Sequence, residues 1–553
     1  MNFSKIFKLP TSYYLLIIII SILSFISSKY SFWYDVNSFY SNLLRNYEGQ
    51  NFLEDYFCQF FPLQFIFLSP FLKFINLNSF IILFSIFLNF LFAFQFSHYA
   101  KKILNNKINF FYLFIILSFF FIPFGIGSAH HNELAIYFCT IGFLIALNKI
   151  DKINVYAVIF LALGLTVKYS IAIPIFASIF FSFTILLIFD FKKTLLEVFI
   201  KYILFISLIF LLVIFVYKIK SDLKFIDILS YLFIDTLSIS QSRIGFKDFI
   251  FYNLFYEIFD YFKNFNDIKN LPVGSFFQLP IVLSYFCFIY FFLKYLKKFQ
   301  IKEKIFFYFI IFSSIFLFIS LGRDWNHKII FFIISNYFLF FIFFNIEKKL
   351  SKSRINAILI FTFCLYLLIP INERVPLKNL VKDFNYETKD YFFQFSKNSP
   401  YVAFKRSIFE TNHGINNLHQ QYSRVTNYLS KQKKLNLFFV DDLSTIFSTV
   451  LSQAPSDTGC FHTWLFTPPL NKGIREKWIN VFLENYNNYE NSMLVICKTD
   501  DGRLCLFSPT SSKDGEFKAV EPTKINDNKF IRELISNSKL SFRTENFYIY
   551  EKK

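Results

Sequence analysis

Long runs of Phe, Ile, Leu and Tyr fill the first two-thirds of the chain, separated by short stretches that are alternately lysine-rich and lysine-poor. The runs predict helices near 11–28, 79–99, 108–124, 134–147, 153–167, 169–189, 202–217, 276–293, 305–321, 329–346 and 355–369. Hydrocarbon accepts only helices with internally satisfied backbones, and a crossing takes about 20 residues. Several runs fall short of that, which leaves their ends loosely set. Cationic loops are retained on the cytoplasmic side. Starting with Lys5 and Lys8 inside, eleven crossings put every Lys-rich stretch on one side and residues 370–553 on the other. No small-residue cleavage pattern follows the first run in Phe25-Ile26-Ser27-Ser28-Lys29, so it reads as a retained helix.

The outward segments are then 29–60, 125–133, 218–275 and 322–328, with a tight break at Lys168. The stretch from Phe60 to Ile75, interrupted by Pro62 and Pro70, is too short and broken to cross and is expected along the interface. Beyond Pro370 the composition turns mixed polar and charged, over a length that suits one compact domain. There Leu435 to Val440 reads as a buried strand followed by a helix from about Leu443. Met493 to Cys497 and Leu504 to Ser508 read as a hairpin through Asp500-Asp501-Gly502, and Asn546 to Tyr550 as a last strand. The expected fold class is an α-helical polytopic membrane protein with about eleven transmembrane helices over residues 1–370. A small extracytoplasmic α/β domain is expected over 371–553.

Charge sharpens this picture. The formal net charge is +19. Six stretches assigned to the cytoplasmic side (1–10, 101–107, 148–153, 190–201, 294–304 and 347–354) carry 19 basic against 5 acidic residues, and 370–553 carries 25 against 20. The basic balance therefore reports topology. A nucleic-acid footprint needs a clustered basic face on a folded domain, so no nucleic-acid partner is expected. Of seven cysteines, Cys139, Cys287 and Cys364 fall in apolar runs. Cys58, Cys460, Cys497 and Cys505 face the outer compartment, where a Cys497 to Cys505 bridge is one option. None has zinc-ligand spacing.

Candidate chemistry begins at Asp35, just beyond the first run in Phe32-Trp33-Tyr34-Asp35-Val36. A carboxylate beside aromatics at a membrane boundary gains proton affinity by partial desolvation, which suits a general base; the alternative is a solvated acidic loop. That segment continues through Tyr40, Glu48-Gly49, Glu54-Asp55-Tyr56 and Pro62 to Pro70. An Asp closing helix one, then a Tyr, a Gly-containing turn, an Asp-Tyr pair and a Pro-rich interfacial segment together resemble the GT-C superfamily of membrane glycosyltransferases. That group includes protein O-mannosyltransferases and lipid A aminoarabinose transferases.

The resemblance implies a polyprenyl-phosphate-linked sugar donor and a lipid, glycan or protein acceptor. It also implies active-site residues on outward loops and a C-terminal extracytoplasmic domain; the Phe, Ile, Asn and Lys bias is consistent with an AT-rich bacterial genome, so a bacterial plasma-membrane location with that domain periplasmic is expected. Many relatives carry two adjacent acids after helix one. Here Val36 follows Asp35, so the second carboxylate is left to Glu48, Glu54, Asp55 or Glu133. Glu133, in Ser128-Ala129-His130-His131-Asn132-Glu133, is the catalytic candidate in the second outward loop. Tyr40, Glu54 and Asp55 are candidates for substrate contact. His130, His131 and Glu133, with Asp35, also offer imidazole and carboxylate ligands to a divalent ion; no other cofactor is expected.

Lys168 splits a long apolar stretch. A charge at such depth costs about 2.5–3.5 kcal/mol on insertion scales and faces a cavity or partner unless it snorkels. The family places a similar lysine at a short-helix break. Arg323, His327 and Lys328 crowd the outward segment Gly322-Arg323-Asp324-Trp325-Asn326-His327-Lys328 against the topology rule, either to grip a phosphate or in part neutralised by Asp324. A transporter or flippase for a lipid-linked molecule would also use an intramembrane lysine, but no paired halves are visible. An O-antigen polymerase or ligase would carry Arg and His in one large outward loop, and 218–275 has Arg243 but no His.

Overall fold

A computed structural model describes residues 34–52, 55–56, 63–108, 110, 113–114, 117, 131–189, 193–220, 224–229, 273–320, 325–342, 418–432, 435–441, 444–457, 472–499, 502–505 and 528–553. In chain order its main elements are α1 (Tyr34–Tyr47), α2 (Leu63–Leu68), α3 (Leu77–Ile103), α4 (His131–Asn148), α5 (Val155–Val167), α6 (Tyr169–Phe189), α7 (Lys193–Lys220), α8 (Val273–Lys294), α9 (Ile301–Ser320) and α10 (Trp325–Ile342). They continue with α11 (Leu418–Leu429), β1 (Asn436–Phe439), α12 (Ile446–Leu451), α13 (Lys472–Asn488), β2 (Ser492–Cys497), α14 (Lys529–Ser536), β3 (Ser538–Arg543) and β4 (Phe547–Lys552). Expected runs at 11–28 and 355–369, and most of 108–124, lie outside the described residues. The other eight each coincide with a helix from α3 to α10. Three stretches among the described residues are long and apolar enough to cross a membrane: Ser79–Ile103, Ile171–Ile188 and Lys193–Val216.

The described residues fall into two compact units. The first draws on 81–210 and 247–389. In it α4 packs on α5, α6 on α9, and α10 on α8 and α9. These helices are apolar on every side, as segments surrounded by helices or lipid are. Small residues set the closest approach. A Cβ on Gly142 would lie 2.9 Å from Leu161 Cγ, and one on Gly164 would run into Cys139 Sγ with the Cys139 backbone nitrogen 3.2 Å away. Close backbone approach is how helices associate where no hydrophobic drive separates protein from lipid. The outer side of α7, with Leu204, Leu208, Leu211, Leu212 and Phe215 exposed, suits hydrocarbon.

The second unit draws on 30–80, 211–246 and 390–553. Its sheet has the order β1-β2-β4-β3, with β1 and β2 parallel (Asn436 opposite Ser492) and the other pairs antiparallel. All six residues of β2 are buried, as in a strand covered on both faces. Phe482 and Tyr486 of α13 and Ile531 and Leu534 of α14 pack on Phe438, Leu494 and Ile496. Asp441 ties the strand ends together, accepting hydrogen bonds from the Ser444 and Cys497 backbone nitrogens, each at 2.7 Å.

Three features differ from the sequence expectation. The segment after the first run is a helix, α1, because Phe39, Tyr40, Leu43 and Leu44 recur on one helical face and are all buried. The expected hairpin of Met493–Cys497 with Leu504–Ser508 pairs antiparallel as far as it is described, with a bridge from Lys498 to Leu504, a 3.1 Å bond from the Cys505 nitrogen to the Cys497 carbonyl and Gly502 at φ +79°; 506–508 lie outside the described residues, and the strands on either side of β2 are instead β1 and β4. The strand β3, Ser-Lys-Leu-Ser-Phe-Arg, has no alternating apolar face to mark it; it is an edge strand, where charged residues belong. The expected strands at 435–440 and 546–550 appear as β1 and β4, and the described residues of Phe60 to Ile75 hold α2 and a 3-10 turn, Ser69–Lys73, with Phe67 and Phe74 exposed.

Cys497 and Cys505 form a disulfide across eight positions, Cα to Cα 5.4 Å. Replacing both by Ser is expected to cost roughly 2.5 kcal/mol on the loop-closure model, read as a lower urea midpoint of the full chain. Gly164→Ala is expected to destabilise the first unit by about 1–3 kcal/mol through overpacking. The same change in a Cys139→Ala background should cost measurably less, with thermal unfolding of the detergent-solubilised protein as the measurement.

Candidate functional site

The charged side chains of the helical unit collect at its ends. At one end Lys107 Nζ lies 2.8 Å from Glu303 Oε1, Asn105 donates to Gln300 Oε1 at 2.9 Å, and Lys302 Nζ donates to the Asn148 carbonyl at 3.0 Å. Three of the Lys-rich stretches, 101–107, 148–153 and 294–304, therefore meet there. Glu303, fully buried, also accepts from the Gln300 backbone nitrogen at 2.9 Å.

Asn148 closes α4; its opposite end begins at His131. His131 and Glu133, in the first turn of α4, are fully buried, and Asn132 beside them is 2% exposed. An acid in a helix's first turn is favoured by the partial positive charge of the free backbone N–H groups. The partner helix α5 starts on an Asn154 cap, whose side chain accepts from the Tyr156 nitrogen at 3.0 Å, and ends at Lys168. Lys168 adopts extended backbone (φ −155°, ψ 98°), which halts α5, and its carbonyl accepts from the Ile171 and Ala172 nitrogens at 3.1 and 3.0 Å, which starts α6. The break turns the side chain to α4, where Lys168 Nζ lies 3.0 Å from His131 Nε2. An ammonium group has only donors, so Nε2 accepts and the neutral ring carries its proton on Nδ1. Tyr169, next in sequence, is buried at 6% exposure.

This arrangement places a cation, an imidazole and a buried carboxylate at one end of an antiparallel helix pair. Of the ligands expected for a divalent ion, His131 Nε2 faces Lys168 here, while the His130 and Asp35 side chains lie outside what is described. Among the described residues no three His, Cys, Asp or Glu side chains gather as ligands. His130, Glu54 and Arg323 lie outside the described residues. His327 and Lys328 stand in the first turn of α10 and Asp35 in the first turn of α1, each with only its backbone described.

In the second unit, Tyr40 is fully buried, edge-on to Phe39 at 5.0 Å and to Phe80 at 6.5 Å between ring centres. Asp55 accepts from the Asn51 nitrogen at 2.6 Å in a local turn. Sequence reasoning gave no part to Asp457, to which buried Arg45 is ion-paired. The two stand 412 positions apart with no local pattern to join them. The phenols of Tyr422 and Tyr486 are pushed up by burial, so neither titrates near neutral pH.

Fold and composition together define a mostly helical membrane protein with a mixed sheet in its C-terminal part. No family model matches the chain, and no curated protein matches it. Among solved structures it is similar to the oligosaccharyltransferase of Archaeoglobus fulgidus in complex with Zn and sulfate. The identity is 13%, the match covers 87% of this chain and 67% of that one, and the TM-score is 0.45. At this identity and score the likeness carries no argument.

Lys168→Met removes the bond to His131 and is expected to lower stability by about 1–3 kcal/mol, whereas Lys168→Gln, which keeps a donor, should lower it less. Thermal unfolding of both variants in the same detergent checks the order.

Proposed function

We propose that this protein is a membrane glycosyltransferase that moves a sugar from a polyprenyl-phosphate-linked donor to a hydroxyl of an extracytoplasmic lipid, glycan or protein. Residues 1–370 form its membrane part and 371–553 its extracytoplasmic domain. The observation that carries the reading is Lys168 bonded to buried His131, with buried Glu133 in the same first turn of α4, at the end opposite the Lys-rich loops. A cation held away from the cytoplasmic cluster by a helix break, in apolar surroundings, is where the headgroup of a lipid phosphate would be met.

In this reading Asp35 takes the proton of the acceptor hydroxyl as its oxygen attacks the anomeric carbon. The bond from that carbon to the phosphate oxygen breaks, and the electron pair leaves with the polyprenyl phosphate. Lys168, Arg323 and Lys328 hold the charge that develops there, a preorganised electrostatic contribution that works best where water is excluded. Glu133 is the second carboxylate, oriented toward the donor sugar, and His131 fixes Lys168. No step runs through a metal.

Purified full-length protein supplied with polyprenyl-phosphate sugars should transfer sugar, and Asp35→Asn should lower kcat by about a hundred- to ten-thousandfold, the usual reach of general-base help. Equal turnover by the variant rejects Asp35 as the base, and no transfer from any such donor rejects the reading.

A further inference from the structure

The helix that carries Asp35 is gripped at its far end by the C-terminal domain. Arg45, in the last turn of α1 and fully buried, is ion-paired with Asp457, also buried, and donates to the backbone carbonyls of Pro455, at 3.0 Å, and of Asp457. It donates as well to Gln50 Oε1 at 3.0 Å, and its guanidinium lies 5.2 Å from the ring centre of Tyr56. Two further bonds cross the same seam. Glu48 Oε1 accepts from the Ala454 nitrogen at 2.9 Å, and Gln50 Nε2 donates to the Pro455 carbonyl at 2.9 Å.

On its other side Asp457 is tied to the sheet, because its second carboxylate oxygen accepts from the Phe439 nitrogen of β1 at 3.1 Å. The segment 454–457 itself adds to β1 through a bridge from Leu437 to Pro455 and a 2.7 Å bond from the Ser456 nitrogen to the Leu437 carbonyl. A continuous path of hydrogen bonds therefore runs from β1 through Asp457 and Arg45 into α1. A guanidinium is always charged and planar, so such a grip fixes orientation as well as distance.

We infer that the C-terminal domain is a positioning support for the reaction, with Arg45 and Asp457 holding α1, and with it Asp35, in working register. The inference rests on the glycosyl-transfer reading above. It gives the C-terminal domain a role in turnover and makes Arg45 and Asp457 positioning residues, neither touching substrate. A base displaced by about 1 Å loses on the order of a hundredfold in rate. Donor binding, assigned to Lys168 and the α10 segment, draws on other residues.

The test measures kcat and donor KM for full-length wild type, Arg45→Gln, Arg45→Lys, Glu48→Ala and Asp35→Asn. In parallel, maleimide labelling of an introduced Ala454→Cys, over that of protein without it, reports release of the seam; Ala454 is 2% exposed when α1 is docked. Arg45→Gln is expected to raise labelling about tenfold and lower kcat about a hundredfold with donor KM unchanged. Arg45→Lys should keep most of both properties, and Glu48→Ala, which leaves the ion pair intact, should lower kcat several-fold in step with its labelling. Should Arg45→Gln fail to fold, Glu48→Ala carries the same test. Free labelling with wild-type kcat overturns the inference, as does a loss of kcat with the seam still closed. Absence of transfer by wild type instead overturns the reading on which it rests.

Discussion

A charge placed in an apolar interior loses its hydration, and the protein keeps it only where a partner or a ring of dipoles replaces the lost water. Lys107 with Glu303, Lys168 with His131 and Arg45 with Asp457 are three answers to that constraint, each where secondary elements meet. The first gathers Lys-rich loops at one end of the helical unit. The second marks a helix break at the other end. The third joins the helix after the first apolar run to a domain far along the chain. Between these points the helices are free to be apolar throughout and to pack by shape, with Gly142 and Gly164 letting α4 and α5 approach closely.

The consequence for chemistry is that the polar groups available to a substrate stand at boundaries. His131, Asn132 and Glu133 occupy the first turn of α4, where backbone N–H groups are free of intrahelical partners, and Lys168 occupies the residue between α5 and α6. His131, Asn132 and Glu133 are all buried there. In the second unit, Arg45, Glu48 and Gln50 bind the last turn of α1 and the residues after it to the segment 454–457 beside β1.

Much of the helical unit was legible because a run of Phe, Ile and Leu means the same thing wherever it occurs, and because lysines mark helix ends. The break at Lys168 was legible for the same reason: a lone charge in such a run requires either an end or a partner. The strands β1 and β4 announced themselves by apolar, β-branched and aromatic residues. Helix α1 did not, since Tyr34 to Tyr47 is half polar and its buried face emerges only once there is something to bury it against. The edge strand β3 has the charged, interrupted pattern that protects a sheet rim and conceals a strand from periodicity.

The sequence by itself determined where the apolar helices run, which ends carry lysine, and that Lys168 and the acid at Glu133 are exceptional, because hydropathy and charge are local properties read residue by residue. Only the tertiary structure decided that His131 accepts from Lys168, that β2 is the central partner of both β1 and β4, and that Arg45 meets Asp457 across 412 positions. Pairing of that kind depends on how the chain returns upon itself. Neither member of a buried pair names the other locally: Arg45 and Asp457 each read as an ordinary surface charge, and Lys168 signals that it needs an end or a partner without pointing to His131.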